Sequence, residues 1–257
     1  MTDPRSAVPR AALLRLTPQL AVLFSVSAIA WVLTVHQARA MGNGPGTMGL
    51  GPGPFLGTWT PMMAAMMLPS VAPLAVFYSR AVRSHRGWRL AGFGGGYLAV
   101  WALTGIPAYA LLALGGAAAR GHPVVARVGA GVLLVVAGLW QLSSAKNFCL
   151  VRCRSPIGLL VRYGSYRGPL RDLRAAAHHA LFCLGCCWAL MVLLVVFGMM
   201  NLVAMAAIAA IVLVEKLAGS GHGVARLAGL GCLVMAGIVV AVPSLAPGLH
   251  SVPMHMG

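Results

Sequence analysis

Apolar residues in this chain run in long blocks, and polar residues are confined to the short stretches between them. A helix of about 20 apolar residues matches the hydrocarbon thickness of a bilayer. Seven such blocks occur, at 18–37, 59–79, 90–114, 124–143, 177–197, 202–217 and 224–242. The pattern predicts an all-α, polytopic membrane helix bundle with seven transmembrane helices. The sixth block is short for a full crossing. Only Gly198, Met199, Met200 and Asn201 separate it from the fifth, which predicts a tight helical hairpin there. Arg5, Arg10 and Arg15, an apolar run and Ala38-Arg39-Ala40 also resemble a cleavable signal peptide. Cleavage would leave six helices in the same orientation.

Between the blocks, the chain divides into a basic tail (1–17), a Gly/Pro loop (38–58), a basic loop (144–176) and a His/Met tail (244–257). The first loop, MGNGPGTMGLGPGPFLG at 41–57, is expected to be irregular, because Gly and Pro punctuate it throughout. The basic loop is expected to hold one short surface helix. There is a single membrane domain and no soluble one.

Composition removes the alternatives. Hydrophobic residues make up 60% of the 257 and charged residues 9%, with a mean hydropathy of +0.87. A soluble domain of that make-up would lack polar residues to cover its outside. The formal charge of +16 would suggest nucleic acid in a soluble protein. Here the cations sit between apolar blocks, so anionic lipid headgroups are the expected partner and nucleic acid is not. Alternating the loops between two sides puts sixteen of the nineteen Lys and Arg on one side, Lys146 and Lys216 among them. Arg39, Arg120 and Arg127 fall on the other. Basic loops stay in the cytoplasm, so the N-terminus is expected inside and the C-terminus outside, in a bacterial cytoplasmic membrane.

Chemistry concentrates in HHALFCLGCCWALMVLLVVFGMMN at 178–201. Residues four apart share a helix face, so His179, Cys183, Cys187 and Met191 form one ridge with Cys186 beside it. Soft sulfur and imidazole donors in hydrocarbon suit a soft metal ion or a thiol redox relay. The second block opens with TWTPMMAAMMLPSVAP, where Met62 and Met66 make one column and Met63 and Met67 another. Pro69 and Pro73 lack the backbone N–H that would bond the carbonyls of Ala65 and Pro69, and loosened backbone is tolerated in a membrane where it is buried or lines a cavity. Methionine as adaptable packing filler is the plainer alternative. In KNFCLVRCRSP, Cys149 and Cys153 are four apart among Lys146, Arg152 and Arg154, a charge setting that favours thiolate. Cys232 reads as packing. Glu215 is read as the only acidic residue in or beside a span, with Lys146 or Arg154 as an ion-pair partner and proton coupling or metal ligation as the sharper role. Asn201 suits a helix cap. The tail His250–Met256 carries two His and two Met, a composition found in metal-binding tracts.

TPMMAAMMLPS, KNFCLVRCRSP, CLGCCWALMVLLVVFGMMN and the EKL at 215–217 together resemble a bacterial integral-membrane family of unknown function, catalogued as predicted metal-binding integral membrane protein. The resemblance spans about 59–237. It implies a helix bundle with Met62, Met63, Met66, Met67, Cys149, Cys153, Cys183, Cys186, Cys187, Asn201 and Glu215 at signature positions.

The residues and the resemblance together lead to a metal-binding membrane protein that handles or translocates a soft ion such as Cu(I), with a soluble metal or thiol carrier as a partner. Met62, Met66 and Met67 would take up the ion weakly at the exterior face. Cys183, Cys186 and Cys187 would hold it, and Cys149 and Cys153 would release it. A membrane thiol-disulfide oxidoreductase is the alternative, with Cys183/Cys186 in C-x-x-C spacing and Cys149/Cys153 as partner pair. A scaffold without chemistry fits poorly with so polar a fifth block. Haem fits poorly with adjacent histidines and no C-x-x-C-H motif.

Overall fold

A computed structural model describes residues 18–41, 45–81, 85–155 and 163–249. Among them the helices are α1 (Pro18–Met41), α2 (Pro52–Ala81), α3 (Arg86–Leu103), α4 (Gly105–Gly121), α5 (Pro123–Leu142), α6 (Ser144–Arg154), α7 (Arg171–Phe197), α8 (Leu202–Leu217) and α9 (Gly221–Ala241). No strand occurs among the described residues. The basic tail at 1–17 and the His/Met residues from His250 onward lie outside them. Among the described residues, six helical stretches are long and apolar enough to cross a membrane. The block expected as a sixth span is α8, which at 16 residues falls short of that length. Large apolar side chains such as Val32, Leu114, Val203 and Leu227 point outward, as they do in a protein solvated by lipid.

The Gly/Pro loop is shorter than its composition suggests. Pro52-Gly53-Pro54-Phe55 forms the first turn of α2, because first-turn residues have no intrahelical partner for the N–H that proline lacks. Phe55 is fully buried there, stacked 5.8 Å from Trp59 and edge-on to Tyr109. Farther along α2, Ser27 of α1 donates a 3.1 Å hydrogen bond to the carbonyl of Ala65. That oxygen is the one Pro69 frees, so the packing of α1 along α2 satisfies it.

The expected third span breaks at Thr104 into α3 and α4. Pro107 cannot bond the carbonyl of Leu103, and Thr104 Oγ1 turns back to donate to the carbonyl of Trp101 at 2.6 Å. Trp59 Nε1 donates to the same carbonyl at 3.1 Å, pinning α2 to the joint.

α7 and α2 are the most buried spans. α7 packs chiefly on α3, α6 and α5, while α2 packs on α1 and α3. The Met-bearing and Cys-bearing helices are therefore not principal neighbours; α3 and α8 touch both. α5 and α9 pack along their length, and Gly138 and Gly229 let their backbones meet. A Cβ on Gly138 would lie 2.9 Å from the carbonyl oxygen of Gly229, and one on Gly229 would lie 3.0 Å from that of Gly138.

α7 starts at Arg171, six residues ahead of the expected 177, and so carries Asp172 in its first turn. An acid is favourable at a helix N-terminus. Arg89 of α3 grips it at 2.9 Å, and Tyr78 of α2 donates its hydroxyl to the same carboxylate. Glu215 is thus not the only acid on a span, and three helices are tied together at this end.

Candidate metal centre

Ser143 ends α5 and starts α6. Its backbone is extended, and its Oγ accepts the N–H of Lys146 at 3.1 Å, a standard N-cap contact. The chain thereby turns a short helix back onto α7 instead of running over the surface. Lys146 and Leu150 of α6 are fully buried. The basic loop thus holds a docked helix where a surface helix was expected.

Three contacts fix α6 in place. Lys146 Nζ lies 2.8 Å from both carboxylate oxygens of Glu215 and also donates to Gln141 Oε1, while Gln141 Nε2 donates to Glu215 Oε1 at 2.9 Å. Arg154 donates to the carbonyl of Ala218 at 2.5 Å, at the C-terminal end of α8. Gly185 on α7 leaves the space that Cys149 fills, since a Cβ there would lie 2.8 Å from Cys149 Sγ. Glu215 is therefore half of a structural ion pair with Lys146, one of the two partners the sequence offered.

Docking α6 brings its cysteines to those of α7. Cys153 is brought beside Cys183 and Cys186. Cys183, Cys186 and Cys187 are all buried, with the Cys186 and Cys187 thiols also donating to the carbonyl of Cys183 at 3.1 and 2.9 Å. Positive charge does not activate the α6 pair as its sequence suggests. Lys146 is spent on Glu215, Arg154 on Ala218, and Arg152 lies over the rings of Phe148 and Phe182. Burial, followed by the neighbouring Cys186, pushes the Cys149 thiol up despite Arg152. The neighbouring Cys183 and Cys186 thiols, together with burial, push Cys153 well above the ordinary thiol range.

Three residues of the centre were not anticipated. Lys216 Nζ donates to Cys183 Sγ at 2.8 Å and to Ser70 Oγ at 2.9 Å, and Tyr97 shares a 3.0 Å hydrogen bond with the same sulfur. Lys216 and Lys146 are both buried, so neither is one of the loop cations they were counted with. The signal for Lys216 lay in α8 itself, where the buried ridge Met205, Ile208, Val212 continues four residues on to 216. Tyr97 belongs to a similar ridge of buried aromatics, Phe93, Tyr97 and Trp101.

The remaining candidates lie at increasing distance. His179 is stacked on Tyr97 with ring centroids 6.1 Å apart, and among the described residues its buried Nδ1 has no hydrogen-bond partner. Met62, Met63, Met66 and Met67 are buried within the bundle. Ser70 follows Met66 by four residues and Met63 by seven, so these two share its helix face, the face that meets Lys216. Met191 is buried two turns beyond Cys183. Asn201 caps α8, accepting from the N–H groups of Val203 and Ala204 at 3.1 Å each, and takes no part in the centre. Cys232 lies apart on α9.

The donor set suits a soft ion: thiols and an imidazole, with no carboxylate among the contacts of Cys183. The thiols are turned onto one another, the Cys183 carbonyl and Lys216. Among the described residues no three His, Cys, Asp or Glu side chains form a ready coordination cage.

No curated protein and no solved structure matches the chain. One family model does, described as PpoB2, copper chaperone. It covers residues 56–240, from the first turns of α2 to the end of α9, and encloses the stretch that carried the sequence resemblance. A membrane helix bundle with a soft-donor centre is in keeping with that description. The chain belongs to the PpoB2 copper chaperone family.

Proposed function

We propose that the protein holds Cu(I) inside the membrane on cysteine sulfur and passes it to a thiol carrier on the cytoplasmic side. Cys183, Cys186 and Cys187 with Cys153 are the tight site, and Cys149, one turn before Cys153 on α6, is the point of transfer. Met62, Met63, Met66 and Met67 are the weaker ligands on the exterior approach. Thioethers need no deprotonation, whereas thiolates bind Cu(I) more tightly and persist in a reducing compartment. The N-terminus is inside and the C-terminus outside, with the short α8 as the seventh crossing: after α9 the chain returns to the C-terminal end of α7, where the Gly248 N–H donates to the carbonyl of Val196 at 3.0 Å.

One observation carries the reading: cysteines from two separate elements, α6 and α7, lie against one another beside a buried ammonium. Copper content of the purified protein after Cu(I) loading tests it. The C183S/C186S/C187S variant is expected to lose most of its copper, and undiminished copper would remove the proposal. The closeness of Cys153 to Cys183 and Cys186 also suits a disulfide relay. Thiol titration on the same samples separates the two readings, because a relay leaves a reversible bridge after oxidation and a metal site keeps its thiols reduced.

A further inference from the structure

His179 carries a buried polar atom with no partner. The residue is 2% exposed, and among the described residues its Nδ1 makes no hydrogen bond. Buried polar atoms are nearly always bonded, so one that is not calls for an explanation. The ring is not loose. It is stacked on Tyr97, whose hydroxyl shares a hydrogen bond with Cys183 Sγ, so one tyrosine fixes both the imidazole and the sulfur. His178 has a different setting, half-buried and edge-on to Phe182 and Tyr163.

Imidazole binds a metal through the lone pair of a ring nitrogen. His179 and Cys183 are four residues apart on α7, a spacing at which two donors on one helix face share an ion. Cys187 lies one turn beyond Cys183, on the side away from His179. His179 and Cys187 are thus about 12 Å apart along the helix axis, more than the two side chains can bridge through metal bonds of about 2 Å. An ion on Cys183 therefore has two neighbouring positions, one among the thiols of Cys153, Cys186 and Cys187 and one at His179. Thiolate is the softer donor, so the position at His179 is the weaker. We propose that His179 Nδ1 and Cys183 Sγ form a second position for Cu(I), of mixed nitrogen and sulfur, which shares Cys183 with the thiol site. An ion can then leave the thiols one ligand at a time without coming free in the membrane interior. The inference rests on the copper reading and adds a state through which the ion changes hands.

The test uses the full chain in detergent, with the tail histidines His250 and His255 replaced by alanine so that bound imidazole reports on the helices. This parent chain is saturated with Cu(I) under reducing conditions, and the ligands are read by X-ray absorption at the copper edge. It is expected to show copper-bound imidazole beside sulfur. His179→Phe keeps a ring against Tyr97 and should lose the imidazole signature while retaining copper on the thiols; His179→Gln serves if it does not fold. His178→Phe should leave the signature in place. C153S/C186S/C187S, which keeps Cys183 as the thiol beside His179, should bind Cu(I) through nitrogen and sulfur together. Adding His179→Phe to it should lower the bound copper by about tenfold or more. Imidazole that persists in His179→Phe, or is missing from the copper-loaded parent, overturns this inference and leaves the copper reading standing. A parent chain that binds no Cu(I) overturns both.

Discussion

Cys149 is half-buried against α7, where burial and Cys186 raise its thiol above the ordinary value and Arg152 offsets only part of the rise. A raised value means that the thiolate, which is the nucleophile, appears at higher pH. Iodoacetamide labelling followed peptide by peptide should therefore find Cys149 several-fold slower than a free thiol at neutral pH. Its midpoint should lie above the usual value of about 8.5. A midpoint at or below that value would mean that Arg152 dominates. Residue type alone marked the sulfur donors, because Cys, His and Met in an apolar block are conspicuous. It did not mark Lys216, Tyr97 or Ser70. A lysine next to a loop looks like every other loop lysine until the packing of α8 against α7 turns it inward.

At the scale of elements, α6 decides whether the centre exists, since it alone brings Cys153 to Cys183. Its hold depends on the buried pair Lys146–Glu215. Glu215→Gln leaves the ammonium of Lys146 in the interior without a counter-charge, and breaking a buried pair on one side costs about 3–5 kcal/mol. The variant should unfold at lower temperature in detergent, and Cys153 should become faster to alkylate. Replacing both partners with apolar residues, K146M/E215L, should recover much of the loss. Unaltered labelling of Cys153 in Glu215→Gln would show that α6 is held by other means. Helices α1, α5, α7 and α9 were legible as apolar blocks, because length and hydropathy alone decide what fits a bilayer. The start of α2 and the docking of α6 were not. Proline reads as a breaker unless its place in a first turn is known, and a helix with two cysteines among cations looks exposed until its buried lysine finds Glu215.

For the whole molecule, the arrangement of charges implies an orientation that the helices alone leave open. Gly51 precedes α2 and Gly164 lies between α6 and α7, both exposed with open space around them. In intact cells, a membrane-impermeant maleimide should label Gly51→Cys, and Gly164→Cys only after permeabilisation. The reverse pattern would invert the topology and with it the direction of transfer. A path from the methionines to the cysteines requires the two sulfur rows to be neighbours, which the sequence does not show. They meet through a relay of side chains, Ser70 to Lys216 to Cys183, because α3 and α8 lie between α2 and α7.

The crossing of Gly138 and Gly229 bears on how such a molecule moves. Shifting α5 along α9 by one residue would drive the side chain of Ala137 or Leu139 toward a peptide oxygen that tolerates nothing larger than hydrogen. That joint has no slack, so the two helices form a fixed post. Any rearrangement that lets an ion change hands must be borne by other parts of the bundle.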